Sequence, residues 1–232
     1  MKNIKKIIIY IFNKILPKNK PIRIFLGPLF GLKWYYFSSV PSFYFGHFEI
    51  KKVRLFIKNV IKKKSILDIG ANVGYYSLLA VKYAESDCKI YAFEPSKRNF
   101  EYLIKNVEAN NIKNIFSIEK AIIDKEEEVF LQENDLGVLD TVGGESGDYK
   151  VLGISIDNFC DNNKITPDLI KMDIEGGELL ALQGAINTLK KYSPDIFLSA
   201  HSDKLEEECL SFLSNLGYKY EKIEDGDFLL KI

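Results

Sequence analysis

One segment in the first third of the chain constrains its fold more than any other. An apolar run ends in a carboxylate and a glycine turn, and a second apolar run follows. The segment reads Ser65-Ile66-Leu67-Asp68-Ile69-Gly70-Ala71-Asn72-Val73-Gly74-Tyr75-Tyr76-Ser77. Because a short apolar run before closely spaced glycines is typical of a buried strand that turns into a helix, the segment predicts a nucleotide-binding α/β unit.

The residues of this turn favour a cationic ligand over a dinucleotide. A dinucleotide fingerprint has glycines at GxGxxG spacing, which let a pyrophosphate lie against the N–H groups of the helix. Here Asn72 stands where the second glycine would be, and the carboxylate of Asp68 would repel a pyrophosphate. S-adenosylmethionine (AdoMet) carries a sulfonium and an ammonium but no phosphate. The sequence therefore predicts AdoMet as the cofactor.

A second apolar run ends in the carboxylate of Glu94, 20 positions after Gly74. An acid at the carboxyl end of the neighbouring strand can accept hydrogen bonds from both ribose hydroxyls. This feature alone does not separate NAD from AdoMet, since both contain a ribose. The predicted cofactor-binding residues are Asp68, Gly70, Ala71, Asn72, Gly74, Ser77, Glu94, Pro95 and Ala121.

Four further blocks of sequence carry a family resemblance. They are Gly27-Pro28-Leu29 with Gly31-Leu32-Lys33, Gly46-His47-Phe48-Glu49, Phe93-Glu94-Pro95, and Ile170-Lys171-Met172-Asp173-Ile174-Glu175-Gly176-Gly177-Glu178 with Gly184-Ala185. On these blocks the chain resembles the FkbM-type methyltransferases over roughly residues 25–223. The resemblance implies an AdoMet-dependent methyltransferase with the doubly wound, mostly parallel seven-stranded sheet of class I enzymes. The chain departs from the family at Ser199-Ala200-His201, where an acid often precedes the histidine.

The chain after Ser65 alternates between predicted strands and helices. Strands are predicted at about 65–69, 88–94, 114–119, 168–173 and 194–200, with helices near 75–85, 96–110, 155–162, 177–191 and 203–216. Such alternation predicts an α/β fold with a parallel sheet covered on both faces. Two last runs, 218–223 and 228–232, flank Asp225-Gly226 and predict an antiparallel hairpin. The stretch 126–150 predicts a short strand at Val129-Phe130-Leu131 and then an acidic, glycine-rich loop, which is either a lid or a variable insertion.

The charge is distributed unevenly along a chain that is neutral overall. Residues 1–64 contain 15 Lys or Arg and one acid, whereas residues 65–232 contain 17 Lys or Arg and 31 acids. We therefore expect a basic extension over 1–64 and an AdoMet-dependent methyltransferase domain over 65–232. A basic segment can meet anionic lipid, nucleic acid or a phosphorylated substrate, or it can dock on the acidic domain.

A stripe of apolar residues at helical spacing predicts an amphipathic helix within residues 1–20. Its members are Ile4, Ile7, Ile8, Ile11, Phe12 and Ile15. The stripe is too short and too charged to span a bilayer, which takes about 20 apolar residues. It either packs on the protein or a second subunit, or lies on a membrane surface. We expect a cytoplasmic protein, which is peripheral at a membrane if the helix binds there.

The size and the cysteines agree with a small enzyme. At 232 residues with 47% hydrophobic content, the chain can bury one substantial core. Cys88, Cys160 and Cys209 lack CxxC spacing, so we expect no disulfide framework or zinc site. Each cysteine is expected to be a small apolar core residue.

Polar residues at the ends of the later strands are candidates for catalysis. Methylation of a hydroxyl needs removal of its proton by a side-chain base or through a bound metal. Asp173, after the fourth predicted strand, is expected to act as the base or to orient the hydroxyl, and His201 is a second candidate base. Glu175 is a third candidate, and Asp173 with Glu175 or His201 could bind a divalent cation. Glu178 is instead expected to stabilise the first turn of the next helix.

Together these residues predict O-methylation of a hydroxyl on a sugar, glycan or small molecule. The alternatives are N-methylation, a lipid-linked or protein acceptor, or a module that binds AdoMet or a membrane surface without catalysis. Glu49 could reach the AdoMet pocket, and His47 is expected to be structural. The sequence does not set the oligomeric state.

Nucleic acid is not an expected partner. Amine methylases of nucleic acids have an Asn-Pro-Pro-aromatic motif after the fourth strand, where this chain has Asp173-Ile174-Glu175-Gly176. An acidic strand end would also repel a phosphate backbone. Base methylation is therefore disfavoured despite the basic extension.

Overall fold

The structure is a computed structural model that describes residues 12, 14–132, 141–142 and 147–232. Most of the predicted N-terminal helix, and the middle of the predicted loop 126–150, lie outside the described residues. Of the apolar stripe, Phe12 packs its ring on Tyr36, Tyr44 and Phe45, whereas Ile15 is exposed to solvent. The end of the N-terminal segment thus has at least one anchor on the rest of the protein.

The described residues form thirteen strands, eight α-helices and one 3-10 helix at Tyr36–Ser38. The strands are β1 (Ile22–Arg23), β2 (Lys33–Trp34), β3 (Ser65–Ile69), β4 (Lys89–Phe93), β5 (Ile115–Ile118), β6 (Ala121–Ile122), β7 (Glu127–Gln132), β8 (Thr141–Val142), β9 (Tyr149–Ile154), β10 (Leu169–Met172), β11 (Asp195–Ser199), β12 (Lys219–Glu224) and β13 (Asp227–Lys231). The helices are α1 (Pro41–Phe45), α2 (Ile50–Val60), α3 (Tyr75–Tyr83), α4 (Lys97–Ala109), α5 (Ile156–Asn163), α6 (Glu178–Gln183), α7 (Ile186–Tyr192) and α8 (Asp203–Asn215).

The main sheet has seven strands in the order β12-β13-β11-β10-β3-β4-β5. Five strands, β11, β10, β3, β4 and β5, run parallel, and β13 pairs antiparallel with both β11 and β12. The prediction of a doubly wound, mostly parallel sheet with a C-terminal hairpin is confirmed. The chain builds outward from β3 through β4 and β5, then returns to the other side of β3 at β10. Ligands of such sheets bind at this switch point, beyond the carboxyl ends of the strands.

Two hydrophobic layers cover the main sheet. One layer joins buried residues of the segment before β3, including Trp34 and Phe56, to Ile66 and Leu78. The other layer contains residues of α5 to α8 and of the C-terminal hairpin. The three cysteines are buried and unpaired, as predicted. In the part of the chain that the structure describes, no helix combines the length and apolar character needed to cross a bilayer.

The predicted single helix over 177–191 is wrong, because the chain forms two helices there, α6 and α7. The break is stabilised by the carboxylate of Asp157, which accepts hydrogen bonds from the backbone N–H groups of Asn187 and Thr188 at 3.0 and 2.7 Å. Such a contact caps α7 from outside its own sequence. A cap supplied by a residue about 30 positions away is not visible in the local apolar pattern.

In the stretch 126–150 the predicted short strand at 129–131 is confirmed as part of β7, whereas the predicted loop is wrong at its far end, where residues 149–150 begin β9. Strands β7 and β9 pair antiparallel, and with β6 and β8 they form a second, four-stranded sheet in the order β6-β9-β7-β8. Leu131 and Val151 bury a small separate core with Ala121. The pairing of β7 with β9 was not predictable from local pattern, because an acidic, glycine-rich stretch separates the two strands.

Candidate functional site

A cavity of about 370 Å³ lies beyond the carboxyl ends of β3, β4, β10 and β11, at the switch point of the sheet. Its volume falls in the range of small-molecule sites. The predicted site residues that line it are Gly70, Ala71, Asn72, Glu94, Pro95, Ala121, Asp173, Glu175 and His201. The segment before β3 contributes a further wall, made of Ser39, Val40, Phe43, Phe48, Glu49 and Lys52.

The turn after β3 approaches the neighbouring strand so closely that only glycine fits at Gly70. Its φ is 73°, and a Cβ atom there would lie 1.9 Å from the carbonyl oxygen of Asp173. The N–H groups of Gly70 and Ala71 donate to the carbonyl oxygen of Phe93 at 3.1 and 2.9 Å. The turn is thus fixed between β4 and the residue that follows β10, and its backbone forms the floor of the cavity.

Glu94 stands at the carboxyl end of β4 and is 5% exposed. Its carboxylate accepts hydrogen bonds from the N–H groups of Asn72 at 2.7 Å and Ser96 at 3.0 Å. These contacts fix the carboxylate beside the glycine turn. The carboxylate therefore lies at the wall of the cavity, next to the backbone of Asn72.

Three predicted cofactor-binding residues lie behind the cavity wall: Asp68, Gly74 and Ser77. Asp68 is 1% exposed, and its carboxylate accepts a 2.6 Å hydrogen bond from the hydroxyl of Ser77. The ammonium of Lys171 lies 3.5 Å from the second Asp68 oxygen and donates to the carbonyl oxygen of Gly70 at 2.8 Å. Gly74 begins α3 and donates its N–H to the carbonyl oxygen of Ala71 at 2.8 Å. In this structure Asp68 therefore reaches the turn through Ser77 and Lys171.

A buried lysine pairs with several acids at the wall of the cavity. Lys52, on α2, is 2% exposed, and its ammonium lies 2.8 Å from Asp227, 3.3 Å from Asp173 and 3.5 Å from Glu49. Glu49 in turn accepts a 2.6 Å hydrogen bond from the hydroxyl of Tyr76. Burial alone would lower the pKa of Lys52, but the three carboxylates outweigh it and raise the pKa above its ordinary value. Lys52 is therefore a permanent cation.

Asp173 is held ionised by the same cations. Burial would raise its pKa, but Lys52, Lys171 and the hydrogen bond with His201 together lower the pKa far below its ordinary value. A carboxylate with so low a pKa is a weak proton acceptor near neutral pH. Asp173 is thus suited to orienting a neighbouring group and stabilising positive charge on it.

His201 is the group that Asp173 orients. Its Nε2 lies 2.9 Å from a carboxylate oxygen of Asp173, and its Nδ1 lies 3.2 Å from Glu175. The hydrogen bond with Asp173 raises the pKa of His201 to about 8, although burial opposes this. The imidazole therefore changes its protonation state close to physiological pH, as a general base must.

Glu175 and Glu178 have different roles in the loop after β10. Glu178 is fully buried at the first turn of α6, as predicted, and its carboxylate accepts hydrogen bonds from the N–H groups of Ile174 and Gly176. Glu175 lines the cavity, and burial raises its pKa above its ordinary value despite the nearby His201. Three side chains could each offer one ligand atom to a metal: those of Asp173, Glu175 and His201. These three atoms lie within 4.8 Å of one another, which is close enough to share a small cation.

Sequence reasoning missed four residues that complete the site: Lys52, Tyr76, Lys171 and Asp227. Lys171 has two sequence signals: it belongs to a block that resembles the FkbM family, and its charge lies within the apolar strand β10, where an unpaired lysine would be costly. Lys52 lies among other basic residues on α2, and the signal for it is helical spacing, because Lys52, Phe56 and Val60 are four residues apart and share the buried face of the helix.

Comparisons with known proteins agree with this architecture. Residues 68–220, more than half of the chain, match the Methyltransferase FkbM domain. The chain is 22% identical over 184 residues to the hexuronic acid methyltransferase AglP of Haloferax volcanii, and the match covers 77% of this chain and 74% of that protein.

Two solved structures share the fold. A methyltransferase FkbM from Methylobacillus flagellatus KT superposes with a TM-score of 0.54 and 19% identity, covering 72% of this chain and 42% of that one. The chain thus spans less than half the length of that structure. A protein described as a putative rRNA-methylase from Clostridium thermocellum superposes with a TM-score of 0.52 and 8% identity, covering 78% of this chain and 91% of that one.

Proposed function

Because the chain belongs to the FkbM methyltransferase family, it is an AdoMet-dependent methyltransferase, and we propose that it methylates a hydroxyl group on a sugar or glycan. The observation that carries the proposal is the Asp173–His201 pair at the wall of the cavity, where a base for a hydroxyl acceptor is needed. The hexuronic acid specificity of the AglP relative supports a sugar as the acceptor class.

The donor set of the cavity fits AdoMet. When bound, AdoMet supplies an electrophilic methyl group on a sulfonium. The cavity is lined by six carboxyl groups, on Glu49, Glu94, Asp173, Glu175, Asp225 and Asp227, against three lysines. Acids in excess favour a cationic ligand and disfavour a pyrophosphate. We assign Glu94 to the ribose hydroxyls and the Gly70–Asn72 backbone to the amino-acid end, with Asp68 as a positioning residue behind the turn.

His201 is proposed as the general base. Its Nε2–H remains on Asp173, while Nδ1 exchanges Glu175 for the acceptor hydroxyl and takes its proton as the new bond forms. Asp173 then stabilises the imidazolium, and Lys52 and Lys171 keep Asp173 ionised. Positioned proton transfer of this kind contributes about 10²- to 10⁴-fold to a rate. The acid-rich wall also favours a neutral hydroxyl over a carboxylate as the reacting group, because a carboxylate would be repelled.

We further infer that the basic segment 1–64 is part of the methyltransferase. The cavity wall that it provides includes the rings of Phe43 and Phe48, which pack on Tyr75 in the first turn of α3. Such an apolar wall can exclude water from the transferring methyl group. A fragment starting at Ser65 would lack this wall.

The direct test is methyl transfer from labelled AdoMet to a panel of soluble glycans, with and without hexuronic acid, followed by mass spectrometry of the product. A methyl ether, which resists mild base, supports a hydroxyl acceptor, whereas a base-labile methyl ester would show that a carboxylate is methylated. His201→Gln should lose at least about 10²-fold in kcat and still bind AdoMet in calorimetry. Binding of NAD in place of AdoMet, or full activity of His201→Gln, would refute the corresponding assignment.

A divalent cation held by Asp173, Glu175 and His201 is the alternative to a metal-free base. Both ring nitrogens of His201 lie at hydrogen-bond distance from carboxylates, which supports the metal-free arrangement. We expect activity to survive treatment with a chelator. Loss of activity that added Mg²⁺ or Mn²⁺ restores would favour the metal instead.

A further inference from the structure

The hairpin loop between β1 and β2 presents three large apolar side chains to solvent. Phe25, Leu26 and Phe30 are 64%, 62% and 61% exposed. We call these three side chains the apolar tip. Large apolar side chains exposed together on one loop mark an interaction site rather than ordinary surface variation.

The backbone that carries the apolar tip is held in place. Gly27 packs against Gly46 so closely that a Cβ atom at Gly27 would lie 2.5 Å from the Gly46 Cα. Phe30 donates its N–H to the carbonyl oxygen of Gly27 at 3.1 Å, and its own carbonyl accepts from the ammonium of Lys82 at 2.7 Å. The hydroxyl of Tyr83 donates to the carbonyl oxygen of Pro28 at 2.8 Å. The exposure of the tip is therefore a property of a fixed loop.

Cations surround the apolar tip. Arg23 and Lys33 face each other across the β1–β2 ladder at the base of the loop, and Lys82 binds the loop itself. Within the described residues the guanidinium of Arg23 donates to the carbonyl oxygen of Gly31 at 3.1 Å and the ammonium of Lys82 to that of Phe30, and neither side chain forms an ion pair there. The tip thus has an apolar centre and a rim of uncompensated positive charge.

The lysine-rich N-terminal segment joins the described structure next to the tip. Phe12 packs on the ring of Tyr44, and the hydroxyl of Tyr44 donates to the carbonyl oxygen of Arg23 at 2.9 Å. Residues 1–22 contain six lysines and no acid. The sequence that leads into β1 is therefore strongly basic.

We propose that the apolar tip inserts into the interfacial region of an anionic lipid bilayer while Arg23, Lys33 and Lys82 bind the headgroups. Apolar side chains surrounded by cations match the composition of such a surface. The three side chains expose on the order of 350 Å² of apolar area, less than the roughly 800 Å² per partner of a stable protein interface. In a two-fold contact with a second copy, the cations of the two rims would face each other and repel.

The test is co-sedimentation of the full chain with vesicles of phosphatidylcholine alone and of equimolar phosphatidylcholine and phosphatidylglycerol. The wild type should bind the anionic vesicles, more weakly at higher salt. The triple variant Phe25→Ser, Leu26→Ser, Phe30→Ser should lose at least about tenfold in partition coefficient. Arg23→Gln with Lys33→Gln should weaken binding to the anionic vesicles alone. The matched control is Ile232→Ser, because Ile232 is 67% exposed next to β13 of the main sheet, outside the β1–β2 hairpin, and should not contribute.

Three outcomes would overturn the proposal. The wild type could ignore both kinds of vesicle, or the triple variant could bind like the wild type, which would assign any binding to residues 1–22 alone. The triple variant could instead convert a dimer to a monomer without changing vesicle binding, which would make the tip a self-association surface. The proposal does not rest on the assigned acceptor, since methyl transfer to soluble glycans is measured separately on the same samples.

Discussion

The Asp173–His201 pair makes a quantitative prediction that can be tested without knowing the acceptor. Asp173 is the main cause of the rise in the pKa of His201 from 6.5 to about 8. That difference corresponds to about 2 kcal/mol of interaction that favours the imidazolium. Because the His201 side chain is 34% exposed, solvent screening reduces the usable part to about 1 kcal/mol. Asp173→Asn should therefore lower the pKa of His201 by about one unit.

The measurement is a pH titration of histidine ring signals by NMR. The chain has two histidines, so the His201 signals are assigned by comparison with His47→Gln. Asp225→Asn is the matched control, because Asp225 lines the same cavity with an exposed side chain that belongs to a different ion pair. The pKa of His201 should remain near 8 in the control.

The same pair sets the pH dependence of the reaction. The base must be neutral, so wild-type kcat/KM should rise about tenfold per pH unit below 8 and level off above it. In Asp173→Asn the rise should end about one unit lower in pH, and the plateau rate should fall by about 10²-fold or more because the imidazolium loses its partner. An unchanged pKa of His201 in Asp173→Asn, or a wild-type activity that falls as pH rises through 8, would refute the reasoning.

Three further perturbations follow from the buried contacts. Lys52→Met should destabilise the protein by about 3 kcal/mol or more in thermal unfolding, because it leaves buried carboxylates without their cation. The control Lys51→Met removes an exposed ion pair and should change the stability by under about 1 kcal/mol. Equal effects of the two substitutions would contradict the role of Lys52 as the buried counter-ion. Gly70→Ala should weaken AdoMet binding in calorimetry at least about tenfold, because the new Cβ would collide with the carbonyl of Asp173. In the control Gly31→Ala the backbone strain is similar, at a φ of 90°, but the new Cβ meets no atom within 4 Å, so this variant should bind AdoMet normally. The three cysteines should resist maleimide labelling in the folded protein near neutral pH, since burial raises their pKa values to about 11 or 12; rapid labelling would show that they are accessible.

The comparison of sequence with structure separates local from distant determinants. Strand β3, the Gly70 turn and helix α3 were predictable because their signal lies within thirteen consecutive residues. The break between α6 and α7 was missed because Asp157, which caps α7, is about 30 residues away in the chain. The second sheet was missed because pairing between β7 and β9 depends on contacts across an irregular, acidic stretch.

Periodicity and turn chemistry act over a few residues, so local patterns were enough to predict the five parallel strands, the C-terminal hairpin and the carboxylates at strand ends. Which charges meet is set by the tertiary structure. Lys52 reaches Asp173 across 121 positions of sequence, and Lys171 reaches Gly70 across 101. Buried charges are stable only when paired, and pairing depends on distances in space that neighbouring residues do not encode. The protonation states of Asp173 and His201 therefore follow from the folded chain alone.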